Sequence, residues 1–147
     1  MALPDPVNWG NLESIVSVLT TELNSLANAT MSANSATQDQ DAIRHNFVEF
    51  ELVVTYGTAP LAGQRVLLFL LPNLDGSNFA TSNIEYISHL AGIFTLDDVT
   101  TAQRIIIRNV LLPSVDFQVA LYNDAGQAMA ASANTLKMRR YSPTIID

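Results

Sequence analysis

Alternation of apolar and polar residues with a period of two is the sequence feature that most limits the fold of this chain. In one segment, apolar side chains occupy every second position: Val115, Phe117, Val119 and Leu121. A second segment repeats the pattern over 48–56, with Val48, Phe50, Leu52, Val54 and Tyr56. Successive side chains of a strand point to opposite faces, so each segment predicts a strand with one buried face.

Further strands are predicted at 64–71, 104–110 and 136–141, and a less regular one within 79–96. Turn-forming residues separate these segments, and the turn at 123–126 predicts a hairpin into 127–131. About seven short strands without intervening helices are typical of an antiparallel β-sandwich. The segment 64–71 is apolar on both faces, which predicts a central strand or one covered by the N-terminal arm.

The N-terminal region lacks this alternation. Within 11–26 apolar residues recur three and four positions apart, which predicts an amphipathic helix with Asn11 as its N-cap, although several β-branched residues weaken helix propensity. Residues 27–42 are small and polar, so they predict either a flexible connector or a strand that is ordered only against a neighbour. We therefore divide the chain into an arm, 1–42, and a β-sandwich domain, 43–147.

Length and charge limit the partners. A chain of 147 residues with 48% apolar content suits one domain, and a charged fraction of only 14% fits a polar uncharged surface or one covered by other subunits. The net charge is −7 and no Lys or Arg precedes Arg44, so direct binding to nucleic acid is not expected. The longest apolar run, Val66 to Leu71, is far shorter than the ~20 residues of a membrane helix, so no membrane partner is expected.

No motif in the sequence predicts catalysis. The absence of cysteine excludes thiol nucleophiles and zinc–thiolate sites, and neither His45 nor His89 belongs to a recognisable catalytic motif. We expect a protein that is not an enzyme, with no catalytic residue, metal or cofactor. A hydrolase with carboxylates gathered around His89 is the least favoured alternative.

The segment Asn73–Asn78 places oxygen-bearing side chains before Gly76, as a calcium loop does. Such a loop closes with a bidentate acid at its twelfth position, and that position here is Ile84. We therefore predict a plain loop.

Cations in two of the predicted strands are candidate binding residues. Arg104 and Arg108 lie on the side of their strand opposite Ile105 and Ile107, and Lys137 and Arg139 share one side of the last strand with Tyr141. The simplest interpretation is a solvated face, and the sharper one is a surface for an acidic partner. With the apolar residues of the arm, the candidate partner-binding residues are Leu12, Ile15, Leu19, Leu23, Leu26, Arg104, Arg108, Lys137 and Arg139.

Five short segments together resemble a family of small virion proteins of tailed bacteriophages and prophages. They are LTTELNSLAN at 19–28, ELVV at 51–54, LLPNLDGSNF at 70–79, TAQRIIIRNVLLP at 101–113 and ANTLKMRRY at 133–141. The resemblance implies a head decoration (cement) protein with a jelly-roll-like β domain, which binds and stabilises the lattice of the major capsid protein. It also implies a homo-oligomer, with a trimer as the candidate form, made in the host cytoplasm and located on the outer capsid surface. The stretch 79–96 departs from the family pattern.

The competing hypothesis is a tail- or baseplate-associated adhesion module that recognises a host-surface glycan or protein through the loops of the sandwich. A glycan site of the usual kind needs several exposed aromatic residues. Trp9 is the single tryptophan, and it lies outside the predicted sandwich. The two hypotheses differ in the partner and in the place within the virion.

Overall fold

The computed structural model describes residues 12–40 and 45–143. Within these ranges, eight strands form two four-stranded sheets, a first sheet with the order β1-β8-β3-β6 and a second sheet with the order β2-β7-β4-β5. The strands are β1 (Val16–Leu19), β2 (Thr30–Met31), β3 (Phe47–Val54), β4 (Arg65–Pro72), β5 (Leu90–Thr95), β6 (Gln103–Leu111), β7 (Phe117–Asp124) and β8 (Thr135–Tyr141). The helical elements of the described residues are two 3-10 turns, Thr21–Leu23 and Ile87–His89.

Strand pairing follows the jelly-roll pattern. β1 pairs with β8, β2 with β7, β3 with β6 and β4 with β5, all antiparallel, as if one long hairpin had been rolled up. Pairing of β3 with β8 and of β4 with β7 completes the two sheets. The predicted antiparallel β-sandwich of the jelly-roll kind is confirmed. The hairpin into 127–131 is not formed, because β8 belongs to the opposite sheet and Met129 makes only an isolated bridge to Tyr56.

The main apolar core lies between the sheets, and a smaller cluster lies on the outer face of the second sheet. Phe50 and Phe117 are fully buried in the main core, as the alternation predicts. In the smaller cluster, Phe69 is buried beneath partly buried residues that include Met31 of β2 and Ala80. β4 is therefore apolar on both faces because it is a central strand and is covered on its outer side.

The helix predicted over 11–26 is wrong for the described part of that range, and its N-cap, Asn11, lies outside the described residues. Val16–Leu19 is strand β1, and Thr21–Leu23 is a single 3-10 turn. β-Branched residues favour an extended backbone, and β8 offers an edge to pair with, which together outweigh the helical spacing. The leucines do not form one stripe, since Leu19 and Leu23 are buried in the core while Leu26 only packs partly against it.

Residues 29–40 run along β7, so the small polar segment is ordered against a neighbour. Its backbone N–H groups donate to β7 carbonyl oxygens at intervals of three residues, in the pairs 29 to 123, 32 to 121, 35 to 119 and 38 to 117. Three residues of this segment therefore span two residues of β7. The hydroxyls of Ser32 and Ser35 make up the mismatch, since they accept hydrogen bonds from the N–H groups of Leu121 and Val119 at 3.0 and 2.9 Å.

The predicted boundary between the arm and the sandwich, at 42/43, lies outside the described residues. Residues 12–40 contribute β1 to the first sheet and β2 to the second. The described part of the arm is thus paired with the body of the sandwich along both sheets.

Candidate functional site

The outer face of the first sheet brings together the four cations that the sequence singled out. We call this surface the charged face and define it by Glu49 and Glu51 of β3, Arg104, Ile106 and Arg108 of β6, and Lys137, Arg139 and Tyr141 of β8, with Ile15 and Leu12 preceding β1. Of the nine candidate residues, six lie here. Leu19, Leu23 and Leu26 do not, because they belong to or pack against the core.

Strand order explains how this face is built. The alternation in β3 turns Phe50 into the core and Glu49 and Glu51 outward. β3 lies between β8 and β6, so the two carboxylates occupy the middle of the face and the cations flank them on both sides. The cation-bearing strands are therefore not neighbours, but their side chains share one surface.

Glu49 and Glu51 hold three arginines. Glu49 Oε2 accepts a hydrogen bond from Arg139 Nη2 at 3.1 Å, and Glu49 Oε1 lies 3.9 Å from Arg108 Nε. Glu51 Oε1 accepts a hydrogen bond from Arg104 Nη1 at 2.5 Å. Exposed ion pairs of this kind contribute only about 0–1 kcal/mol each, so these ion pairs add little to the stability of the fold.

Lys137 differs from the arginines. It lies directly opposite Glu51 in the β3–β8 register, yet it makes no ion pair with any other residue of 12–40 or 45–143. Arg108 is also loosely held, because its side chain is 70% exposed and its contact with Glu49 is long. Lys137 and Arg108 are thus the cations of this face most available to a ligand.

A β-bulge in β6 sets the end of the charged face. Val48 pairs with Val110 and Phe50 with Ile107, so Arg108 and Asn109 both oppose the single residue Glu49. Asn109 has a φ of 57°, a left-handed conformation that asparagine tolerates better than most residues. The bulge turns Arg108 toward Glu49 and places the Asn109 side chain beside β8.

The side chain of Tyr141 stabilises the bulge. Its hydroxyl donates a hydrogen bond to Asn109 Oδ1, and its ring stacks on Phe47 with the ring centroids 5.8 Å apart. Burial and the negative charge of Glu49 raise the pKa of Tyr141, so the hydroxyl stays protonated and remains a donor. This end of the face is therefore held by side-chain contacts as well as by strand pairing.

Two adjacent depressions form a groove on this face, and they share Glu49 and Arg139. The first, with a volume of about 360 Å³, is flanked by Ile15 and Ile106, which are 64% and 48% exposed. The second, of about 330 Å³, lies between Leu12 and Tyr141. The groove thus combines charged groups with exposed aliphatic side chains.

The charged face has a sign opposite to that of the whole chain. Its four cations and two carboxylates leave a local charge of +2, whereas the full chain carries −7. A local field of this sign attracts anionic ligands.

Within the described ranges, neither histidine belongs to a recognisable catalytic cluster. The His45 side chain is buried, with Nε2 3.0 Å from Glu13 Oε1, and Glu13 Oε2 accepts a hydrogen bond from Arg140 Nε at 2.6 Å, so His45 belongs to the contact that fastens the segment before β1. His89 packs edge-on against Tyr86 with the ring centroids 6.1 Å apart. Among the described residues, no carboxylate forms an ion pair with His89, and no group of three or more His, Asp and Glu side chains is placed to hold a metal ion.

The loop at Asn73–Asn78 is closed by its own hydrogen bonds. Asp75 Oδ1 accepts from the N–H groups of Ser77 and Asn78 at 2.8 and 2.7 Å, and Oδ2 accepts from Asn78 Nδ2 at 2.9 Å. These hydrogen bonds lower the pKa of Asp75 to about 2. Both carboxylate oxygens therefore serve the turn itself.

The two central carboxylates were missed as site residues, since the sequence placed them only on the polar side of a strand. The signal that would have identified them is charge complementarity between strands, with acidic residues at alternate positions of one strand and basic residues at matching positions of two others.

No helix in the described part of the chain is long and apolar enough to cross a membrane.

No family model matches this chain, and no curated protein matches it either, so the resemblance to phage virion proteins gains no support at the level of sequence. The CBM36-1 domain of a multidomain xylanase from the hindgut metagenome of Trinervitermes trinervoides is similar in structure, with a TM-score of 0.51, 18% identity, and coverage of 88% of this chain and 96% of that one. That likeness shows a shared β-sandwich fold.

Two further solved structures are more distant. A CBM36 carbohydrate-binding module in complex with calcium and xylotriose has a TM-score of 0.47 and 12% identity, covering 92% of this chain and 93% of that one. A chain of Desmodium yellow mottle tymovirus has a TM-score of 0.28 and 14% identity, covering 100% of this chain and 97% of that one.

Proposed function

We propose that this protein is a non-enzymatic binding module whose ligand docks on the charged face. The observation that carries the proposal is a groove with exposed Arg and Lys side chains, central carboxylates and flanking aliphatic residues. Arginine is enriched in binding surfaces. Arg104 and Arg139 each donate one side-chain hydrogen bond to another described residue, although a guanidinium carries five N–H donors.

The sheet beneath the groove supports this role because it is preorganised. β3 and β8 are each paired on both sides, so the residues they present are held by two neighbouring strands. A rigid surface binds with a smaller entropic cost than a flexible loop does. This feature favours a binding surface on the sheet, in place of the loops that the adhesion hypothesis invoked.

Within this proposal we favour an adhesion module that recognises a ligand on a host surface. The CBM36-1 domain, which shares the fold, is by its description a domain of a multidomain xylanase, and this makes glycans the first ligands to test. The absence of a recognisable catalytic motif in the sequence supports binding without turnover.

Capsid decoration is the second candidate. Exposed Leu12, Ile15 and Ile106 beside arginines give a composition that is also typical of protein–protein interfaces. In this version the charged face binds the major capsid protein, and the protein is a homo-oligomer on the outer surface of the virion.

Charge reversal tests whether the charged face is the binding surface. We would measure binding of the full chain to a glycan array, to host cells and to purified capsids, comparing wild type with R108E/R139E. The matched control is R65E, because Arg65 forms an exposed ion pair with Asp124 at 2.9 Å on the second sheet. We expect wild type and R65E to bind at least one of these targets and R108E/R139E to lose at least tenfold in affinity.

Each result has a definite meaning. Binding to glycans or cells supports adhesion, and binding to capsids alone supports decoration. Undiminished binding by R108E/R139E would overturn the charged face as the site, and no binding by wild type to any target would overturn the binding module itself.

A further inference from the structure

We infer that the charged face binds an anionic glycan, a polysaccharide that carries carboxylate groups as well as hydroxyls. This inference rests on the proposed function and specifies its ligand. Arg108 and Lys137 are the residues assigned to the ligand carboxylates, and Glu49 and Glu51 are assigned to its hydroxyls.

The available cations favour negative charge on the ligand. Arg108 is 70% exposed with a 3.9 Å contact to Glu49, and Lys137 makes no ion pair among the described residues. A planar guanidinium binds a carboxylate with two parallel hydrogen bonds, which makes the contact directional as well as attractive. The local charge of +2 adds to this preference.

The two central carboxylates can accept further hydrogen bonds from the same ligand, besides those that they accept from Arg139 and Arg104. Glu49 and Glu51 lie in the middle of the face, so an acidic peptide or a nucleic acid laid across it would meet negative charge at its centre. A sugar hydroxyl donates as well as accepts a hydrogen bond, and a carboxylate is an acceptor for it. The mixture of donors and acceptors therefore suits an acidic sugar better than either of those polymers.

Neutral glycans fit poorly. Among the described residues, the aromatic side chains that line the groove are Phe50 and Tyr141, which are 0% and 3% exposed, so neither presents a ring face for a sugar to stack on. Attraction on this face must then come from charge and hydrogen bonds. Ile15 and Ile106 offer only small aliphatic contacts beside them.

The spacing of the cations suits a repeating polymer. Lys137 and Arg139 are two residues apart on β8, a distance of about 7 Å along the strand, and β6 and β8 are separated by two strand spacings, about 10 Å. The groove runs across adjacent depressions and so has room for more than one sugar unit. Several carboxylates of one chain are thus within reach of different cations.

The test uses a panel of uronate- and sialate-bearing polysaccharides, each paired with its carboxyl-reduced form, together with poly-L-glutamate. Affinities of the wild-type chain, R108Q/K137Q and the control R65Q are measured by isothermal titration calorimetry at two salt concentrations. We expect wild type and R65Q to bind at least one acidic polysaccharide at least tenfold more tightly than its reduced form and than poly-L-glutamate. R108Q/K137Q should lose at least tenfold, and binding should weaken with salt.

Equal affinity for a reduced polysaccharide, tighter binding of poly-L-glutamate or no binding to any acidic polysaccharide would each overturn the anionic-glycan assignment. Those outcomes leave the charged face standing if R108E/R139E still abolishes binding to another target. Unchanged acidic-glycan binding by R108Q/K137Q would instead show that the ligand docks elsewhere, and would overturn the site itself. Circular dichroism of each variant checks that it is folded.

Discussion

Asn123 Nδ2 donates a hydrogen bond to the main-chain carbonyl oxygen of Leu26 at 2.9 Å. The same amide donates to the carbonyl oxygen of Gln127 at 2.9 Å, and its Oδ1 accepts from the hydroxyl of Tyr56 at 3.3 Å. Asn123 is fully buried, and burial raises the pKa of Tyr56, which keeps that hydroxyl a donor. One side chain thus joins the N-terminal segment, β7 and the turn after β7.

Replacing Asn123 should destabilise the whole fold. N123A removes the acceptor of the buried Tyr56 hydroxyl and of the buried Ala125 N–H, together with a donor to the carbonyl oxygens of Leu26 and Gln127, and each buried group left unsatisfied costs about 1–3 kcal/mol. We expect the free energy of unfolding in urea to fall by about 3 kcal/mol or more. N34A is the control, since Asn34 makes an exposed hydrogen bond to Gln118, and it should change stability by less than about 0.5 kcal/mol. Equal effects of the two substitutions would contradict the role of Asn123.

The serine hydroxyls that face β7 should protect its backbone from exchange. In S32A/S35A the N–H groups of Leu121 and Val119 lose their acceptors, while the backbone pairing of residues 29–38 remains. We expect faster hydrogen exchange at those two amides and a loss of about 1–3 kcal/mol per site. S17A, at an exposed position of β1, should leave both amides protected. Unchanged exchange in S32A/S35A would mean that the hydroxyls are not the acceptors.

The Asp75 carboxylate should make the stability of its loop depend on acid pH. Its pKa is lowered from 3.8 to about 2 by hydrogen bonds that the folded loop provides, so it stabilises the folded state above pH 3.8. This contribution should disappear as the pH falls from 3.8 to about 2, where the folded carboxylate becomes protonated. We expect D75N to have a lower Tm than wild type at pH 6 and the same Tm at the acid limit. A difference in Tm that is independent of pH would contradict this assignment, and an NMR titration of Asp75 measures the pKa directly.

Local pattern predicted the strands whose two faces differ in environment. Apolar and polar residues alternate along β3, β7 and β8 because one face of each strand meets the core, and this contrast is visible between residues that are adjacent in the sequence. β1 was missed because its partner, β8, is more than a hundred residues away, and no local signal reports a pairing partner. Its apolar spacing resembled a helix only because Leu19 and Leu23 reach the core from two different elements.

The candidate site, like the fold, was predicted only where local alternation was sufficient. The cations were identified because alternation alone places Arg104 and Arg108 on one side of β6. Their relation to Glu49 depends on β3 lying between β6 and β8, which is a property of the strand order. The bulge at Asn109 that aims Arg108 also depends on tertiary contacts, through the hydroxyl of Tyr141.

Gly92 and Ile107 provide a direct test of how the two sheets meet at their β5 and β6 edges. A Cβ added at Gly92 would overlap the Cδ1 methyl of Ile107, while Cγ1 of Ile107 would stay at an ordinary 3.8 Å. G92A should therefore destabilise the fold by about 1 kcal/mol through overpacking, and I107V, which removes Cδ1, by about 0.5–1.5 kcal/mol. In the double variant the new methyl occupies the space of the lost one, so the combined loss should be at least 0.5 kcal/mol smaller than the sum of the single losses. The control is I105V, because Ile105 also packs partly against the core from β6 but supplies none of the three atoms nearest to a Cβ added at Gly92, and its effect should add to that of G92A. Urea unfolding of wild type, the three single variants and the two double variants measures these couplings. Strict additivity of G92A with I107V would show that the two edges do not pack as closely as the structure places them.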